Sequence, residues 1–426
     1  MRPAGLIVLG IAIALFIYGA YGQGRDTLGA VLFVPALLVL MFPIVRRIEQ
    51  SETRFDLGAL LWFALATKFA ATYFRFLGGV DSVVYDREGT RLAASFRDGD
   101  FWVSTGRDIP GTGTIRYLTG LVHLLTNSSY VGTFLVYSLL GFLGSVMSYR
   151  AFVRAVPEGN HRRYALILLL WPSMLFWPSS IGKESVVMFG IGAFSLGAAR
   201  ILRRDRGAML QLAAGLFVMG MVRPHVALIA VTAVVVALIV RARVTPSLSA
   251  SIGKAAAIVV LVAVGGYMAS ATEDLLGLEG LSVEQALSRT TEQTSQGSGA
   301  FDATNVDSIV QYPMAVVTVL FRPFLHEAPN GLAQISSLES MALLTILLLA
   351  ARRLAANIRF ARREPYMAFA VAYILVFCYL FAAIGNFGIL TRQRVQVLPF
   401  VLVLVALPLT SRPVGRRARR MRGELA

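Results

Sequence analysis

Twelve apolar runs, each ended by polar or basic residues, constrain this chain more than any other feature. They fall at 4–21, 28–45, 56–78, 130–153, 164–178, 184–201, 208–222, 224–240, 254–270, 334–354, 366–386 and 395–411. A helix rises about 1.5 Å per residue and a bilayer's hydrocarbon core is about 30 Å thick, so about 20 apolar residues cross it. Hydrophobic residues make up 56% of the 426 positions, with a mean hydropathy of +0.66. Soluble domains average about 45–50%, and no soluble core of this size hides so much apolar surface. The expected fold is all-α. It is a polytopic integral membrane protein of about 12 transmembrane helices, forming a single transmembrane domain over 1–426. The first run follows Arg2, and no small-residue cleavage site precedes Gln23, so it reads as a helix and not as a removed signal.

The net charge of +16 suggests nucleic acid until its distribution is examined. The basic residues occupy short loops between the runs. Place the N-terminus, 46–56, 150–163, 200–206, 241–254, 352–364 and 412–426 on one side. That side then carries 26 of the 40 Lys+Arg and 7 of the 24 Asp+Glu, a net +19, and everything else is −3. Basic short loops stay in the cytoplasm. Both termini, including the basic tail 412–426, are therefore expected there, with the lipid bilayer as partner and no nucleic acid. Arginine outnumbers lysine 37 to 3, so each lysine stands out. Cys378 is the one cysteine, which excludes an intrachain disulfide. The histidines are scattered without zinc-ligand spacing, and neither a Walker loop nor a Rossmann glycine pattern occurs.

Parity adds a constraint. With 271–308 outside and 352–364 inside, an odd number of crossings separates them. Of 309–323 and 334–354, only the second is long enough to span. Residues 309–323 should dip in and return, or lie along the outer face, and 113–126 likewise. Two long extracytoplasmic loops remain, 79–112 and 271–308. The second opens on an amphipathic helix with a capping box at Ser282 and Gln285. It continues as the flexible, polar stretch TSQGSGAFDATN.

Five polar motifs fall on the outer side. They are Asp81 and Asp86 in GGVDSVVYDREG, Lys183 and Glu184 in FWPSSIGKES, and Arg223 and His225 in MVRPH. Arg322, His326, Glu327 and Asn330 follow in FRPFLHEAPN, and Asn386, Arg392 and Arg394 in GNFGILTRQR. Singly, each reads best as a solvated loop charge; five on one face do not. Depth sharpens the point. The arms of the 208–240 hairpin reach only about 23–26 Å, so the Arg223-Pro224-His225 turn should lie below the outer surface. The 164–201 hairpin, broken at Pro178, is equally short. Irregular backbone at that depth lines a cavity, and charges there are costly and functional.

Lys183, Arg223, Arg322, Arg392 and Arg394 would give such a recess a positive lining suited to phosphate. An outward-facing site has no nucleotide sugar and would draw on polyprenyl (pyro)phosphate carriers. A carboxylate must take the acceptor's proton, with Asp81, Asp86 and Glu327 as candidates and Asp81 somewhat ahead. The bland reading of Asp86 is an ion pair with Arg87 or Arg91. His225 and His326 serve equally well as proton shuttles or as satisfied interface histidines, and Asn330 is auxiliary. Lys68 and Arg75 share a face of the third run and read as structural charges, with Glu339 a plausible partner for Lys68. Trp62, Trp102, Trp171 and Trp177 fit interface belts, though Trp102 also suits a sugar ring.

At these residues the chain resembles known families. Its first long loop is similar to that of GT-C glycosyltransferases, which place a catalytic Asp there. FWPSSIGKES, FRPFLHEAPN with SSLES, and NFGILTRQRVQVLPF resemble bacterial surface-polysaccharide membrane proteins that look like Wzy-type repeat-unit polymerases. The resemblance covers most of 75–405. It implies Asp81 as the carboxylate and Arg223, Arg322, Arg392 and Arg394 as phosphate contacts. Departures are DSVVYD in place of paired acids, and no large soluble C-terminal domain. The function so implied is glycosyl transfer or glycan polymerisation at the outer face of a bacterial cytoplasmic membrane. It would use a polyprenyl-linked donor and a glycan or lipid acceptor. No cofactor is expected, and a divalent metal is left open. The competing reading is a transporter or flippase of lipid-linked glycan, against which stand the absence of an internal repeat and the one-sided polar groups.

Overall fold

The computed structural model describes residues 27–52, 54–78, 80–244, 283–295, 299–303, 310–356 and 364–407, with a few isolated positions beside them. The expected first and ninth spans fall almost wholly outside the described residues, as do the tail 412–426 and Ser282. Every element named among the described residues is helical, apart from one isolated bridge between Ala300 and Asn386.

In chain order they are α1 (Thr27–Glu49), α2 (Leu57–Gly78), α3 (Val80–Arg97), α4 (Thr112–Thr126), α5 (Tyr130–Ala155), α6 (His161–Leu170), α7 (Pro172–Phe176) and α8 (Lys183–Leu202). There follow α9 (Ala208–Val222), α10 (Pro224–Val244), α11 (Val283–Thr294), α12 (Tyr312–Phe321), α13 (Gly331–Ala356), α14 (Pro365–Phe381), α15 (Phe387–Arg394) and α16 (Leu398–Val405). Six are long and apolar enough to cross a membrane: α1, α2, α5, α8, α10 and α13. The pair α15 and α16, bent by 59°, makes up to a seventh, and α9, α12 and α14 are apolar but shorter. This is the helix inventory of a membrane-embedded protein, with fewer full-length spans among the described residues than the twelve expected. One reason is local. The run 164–178 is split at Trp171, because Pro172 supplies no backbone N–H and opens a new helix.

The helices expected at 113–126 and 309–323 form as α4 and α12. Residues 79–112, read from sequence as loop, begin with the 18-residue helix α3. Its mixed charges hide a buried stripe of Ser82, Tyr85, Leu92, Ala93 and Phe96, which packs on α4. Residues 283–294 form the expected helix as α11.

The centre of the bundle is α8, packed between α5 and α9 and touched by α10 and α14. Small residues set this packing. A Cβ added at Gly192 of α8 would collide with the Gly144 backbone of α5, and one at Gly215 of α9 with the Phe194 backbone of α8. Backbones that meet this closely gain van der Waals contact without a hydrophobic drive between helices.

Lys68 does not pair with Glu339. Its buried ammonium donates to the Met174 carbonyl at 2.9 Å, and Glu339 accepts from Ser173 Oγ at 2.6 Å. Each braces the interrupted segment around Pro172, where broken helices leave backbone groups without partners. At the end of the bundle that carries the 50–56 and 155–161 turns, Glu52 lies 3.2 Å from His161 Nδ1 and accepts from the Tyr149 hydroxyl at 3.2 Å. Burial raises the Glu52 pKa, but the Arg54 amide and His161 outweigh it and hold the carboxyl below its usual range.

Candidate functional site

Four chain segments converge at the opposite end. The Trp177–Gly182 turn ends where α8 starts, placing Lys183 and Glu184 in its first turn. The α9–α10 hairpin turns at Arg223, with Pro224 opening α10. Asp81 lies in the first turn of α3, and Arg392 in the last turn of α15, which Asn386 caps by accepting from the Gly388 and Ile389 amides.

Glu184 is the hub. Its side chain is 1% exposed, and Arg223 Nη2 donates to Oε1 at 2.5 Å. Arg392 meets the same carboxylate, with Nη2 donating to Oε2 at 2.8 Å and Nε at an ion-pair distance of 2.7 Å from Oε1. The remaining nitrogen of Arg392, Nη1, donates to Asp81 Oδ2 at 2.9 Å, and that carboxylate is 63% exposed. Arg223 also donates to Gln393 Oε1. Arg75 on α2 is within electrostatic reach of the same carboxylates, its guanidinium over the Phe176 and Trp177 rings at 5.2 Å from each. Among the described residues, four cations (Arg75, Lys183, Arg223, Arg392) thus face two carboxylates, which leaves two positive charges uncompensated. Sequence reading placed Glu184 in a motif but gave it no role. The signal was there: an acid one position into an apolar helix, beside an arginine-bearing break.

Beside this cluster lies a cavity of about 390 Å³. Lys183, Arg223, His225 and Gln393 form its polar side, while Leu287, Leu380, Phe381, Ile384 and Ile389 give it an apolar wall. Helix α11, from the second long loop, closes one flank. Thr291 Oγ1 donates to the Ala383 carbonyl at 2.9 Å, and Thr294 Oγ1 accepts from the Gly385 amide at 3.0 Å. The 105–113 turn is held against α9, since the Gly111 amide and Thr114 hydroxyl both donate to the Met221 carbonyl. His225 lines the cavity with its ring 5.8 Å from that of Phe381.

The other residues singled out from sequence lie elsewhere. Arg322 pairs with Glu327, Nη2 to Oε1 at 2.7 Å, and sits over Phe301 at 4.3 Å from its centroid. Burial raises the Glu327 pKa, but the hydrogen bonds from Arg322 and from the Phe324 amide at 2.8 Å outweigh it and leave the carboxyl below its usual range. Arg394 is buried and directs its guanidinium at the Val319 carbonyl, the Arg322 carbonyl and Ser340 Oγ. Asn330 caps α13, its Oδ1 accepting from the Ala333 amide. His326 stacks on Phe324. Asp86 faces neither Arg87 nor Arg91. Its Oδ1 lies 3.1 Å from Nε2 of buried His123, while Arg91 turns to Glu88 and the Ser104 carbonyl. Trp102 is 98% exposed. Among the described residues no group of three or more His, Cys, Asp or Glu side chains is placed to hold a metal.

Comparison of the chain with protein-family models, with curated proteins and with solved structures finds no significant match.

Proposed function

We propose that the protein is a membrane-embedded enzyme that transfers or polymerises glycosyl units at the extracytoplasmic face, taking them from polyprenyl-(pyro)phosphate-linked donors in surface-polysaccharide synthesis. One observation carries this reading: a cavity with an apolar wall opens on a cluster with two excess positive charges. A polyprenyl phosphate presents the same two chemistries in one molecule. Guanidinium forks match phosphate oxygens, and the apolar wall suits the first isoprene units. The twelve-span topology, with the Arg223 end outward in a bacterial cytoplasmic membrane, belongs to the same reading and is supported by the +19 to −3 charge split.

In the reaction the acceptor hydroxyl gives its proton to Asp81 as its oxygen bonds to the anomeric carbon. The bond from that carbon to the carrier phosphate breaks, its electron pair staying on phosphate oxygen. Lys183, Arg223 and Arg392 offset the charge that develops there. Asp81 then returns its proton to water. Glu184 is not the base, because both its oxygens are engaged by arginine. Its part is to hold two guanidinium groups side by side.

The test is analysis of lipid-linked oligosaccharides in a deletion strain. Donor lipid should accumulate in the outer leaflet, open to a glycosidase added from outside, and Arg223→Ala should fail to clear it. A normal glycan profile in the deletion strain overturns the reading. Donor lipid trapped in the inner leaflet indicates a transporter instead.

A further inference from the structure

Arg392 grips two carboxylates that differ sharply in burial, and the difference has a chemical consequence. Glu184 is nearly inaccessible and held by two arginines, whereas Asp81 is mostly exposed, takes its direct contact among the described residues from Arg392 Nη1, and meets Arg75 and Lys183 only at longer electrostatic range. An anion entering from the Lys183 side will displace the weaker partner. Exposed ion pairs contribute little, while a buried carboxylate cannot be left behind without cost. We infer that Arg392 exchanges ligands: a phosphate-bearing substrate takes its Nη1, and Asp81 is set free as a base only when that substrate is present. Glu184 is the positioning residue that keeps Arg392 in place during the exchange. This rests on the glycosyl-transfer reading above and adds to it a mechanism of substrate-gated activation. Before the donor binds, a carboxylate tied to arginine is a poor proton acceptor. Afterwards it is released beside the site that the acceptor hydroxyl must enter. Premature deprotonation of water is thereby suppressed.

The exchange makes Asp81 a competitor of the anion, which gives an unusual sign. The experiment is calorimetric titration of inorganic pyrophosphate into the purified full-length protein. Asp81→Asn should bind pyrophosphate about two- to fivefold more tightly than wild type, as expected for the loss of an exposed ion pair. Asp81→Glu, which restores the pairing, should return affinity towards wild type. Asp86→Asn removes the same charge about 7–8 Å further along α3, where it faces His123. If the long-range field alone were responsible, both Asn variants would tighten binding alike. The exchange predicts that only Asp81→Asn does. Unchanged or weaker binding by Asp81→Asn, or equal tightening by Asp86→Asn, overturns the exchange while leaving the anion site standing. No pyrophosphate binding by wild type, or binding that Arg392→Ala leaves unchanged, overturns both.

Discussion

Replacing Glu184 by Gln keeps its shape and removes its charge, leaving two guanidinium groups facing each other. The side chain of Arg223 is 7% exposed and that of Arg392 is 24% exposed. Arg392 keeps Asp81 as a counter-charge, but Arg223 keeps only the neutral Gln393. Removing one partner of a buried pair costs about 3–5 kcal/mol, mostly as the penalty of an uncompensated charge. Arg223 should bear most of it. The double variant Glu184→Gln/Arg223→Gln removes both charges of the inner pair and should lose less than the sum of the single variants, with a coupling of about 1–3 kcal/mol. The assay is heat-step size exclusion of purified protein in detergent, scored as the temperature at which monodisperse protein is lost. Because the pair is buried, salt should change the result little. A Glu184→Gln variant that melts with wild type, or single losses that simply add, refutes the claim that this carboxylate holds the cluster together.

Arg394→Ala should reduce the yield of folded protein, and Arg394→Lys should not restore it. One ammonium cannot reach the Val319 and Arg322 carbonyls and Ser340 as the guanidinium does; yield by fluorescence-detected chromatography decides this. The Arg322–Glu327 clamp should open in acid. Its carboxyl is held below the ordinary value of about 4.3, so its contribution is fully present above that value and is lost as pH falls through the lower folded pKa. Proteolysis of 323–330 should therefore accelerate below about pH 4 in wild type and show no such step in Glu327→Gln. For topology, a cysteine at Asp100 should react with an impermeant reagent on intact cells, and one at Glu158 should not. The native Cys378 is buried. Labelling of Glu158→Cys from outside would invert the orientation.

Helix positions were legible in α5, α8 and α13, where hydropathy is continuous and no proline interrupts the hydrogen-bond ladder. Three features escaped, one of them α15, which lies between the expected runs 366–386 and 395–411. α3 was masked because its buried stripe alternates with Asp, Glu and Arg on the wet side, so its composition reads as loop. The split between α6 and α7 was masked because hydropathy runs on across Trp171 and Pro172 although the hydrogen-bond ladder does not. For the charged cluster, breaks at Pro178 and Pro224 pointed to the end of the bundle where Glu184, Arg223 and Arg392 meet, since charged residues beside interrupted helices must converge on something. Which charges converge is a tertiary fact. Arg392 and Arg394 are two residues apart, and helical geometry turns them about 200° from one another. One reaches Glu184 and the other the backbone beneath Arg322. No spacing rule distinguishes them without knowing which face of α15 is buried.

The most direct measurement is turnover by the purified protein, given a polyprenyl-linked sugar donor and an acceptor and scored for carrier release and chain growth. Wild type should form product. Asp81→Asn should retain donor binding while turnover falls by about 10²–10⁴, the usual loss when a general base is removed. Normal product formation by Asp81→Asn, or no product from wild type with its donor bound, would contradict the account.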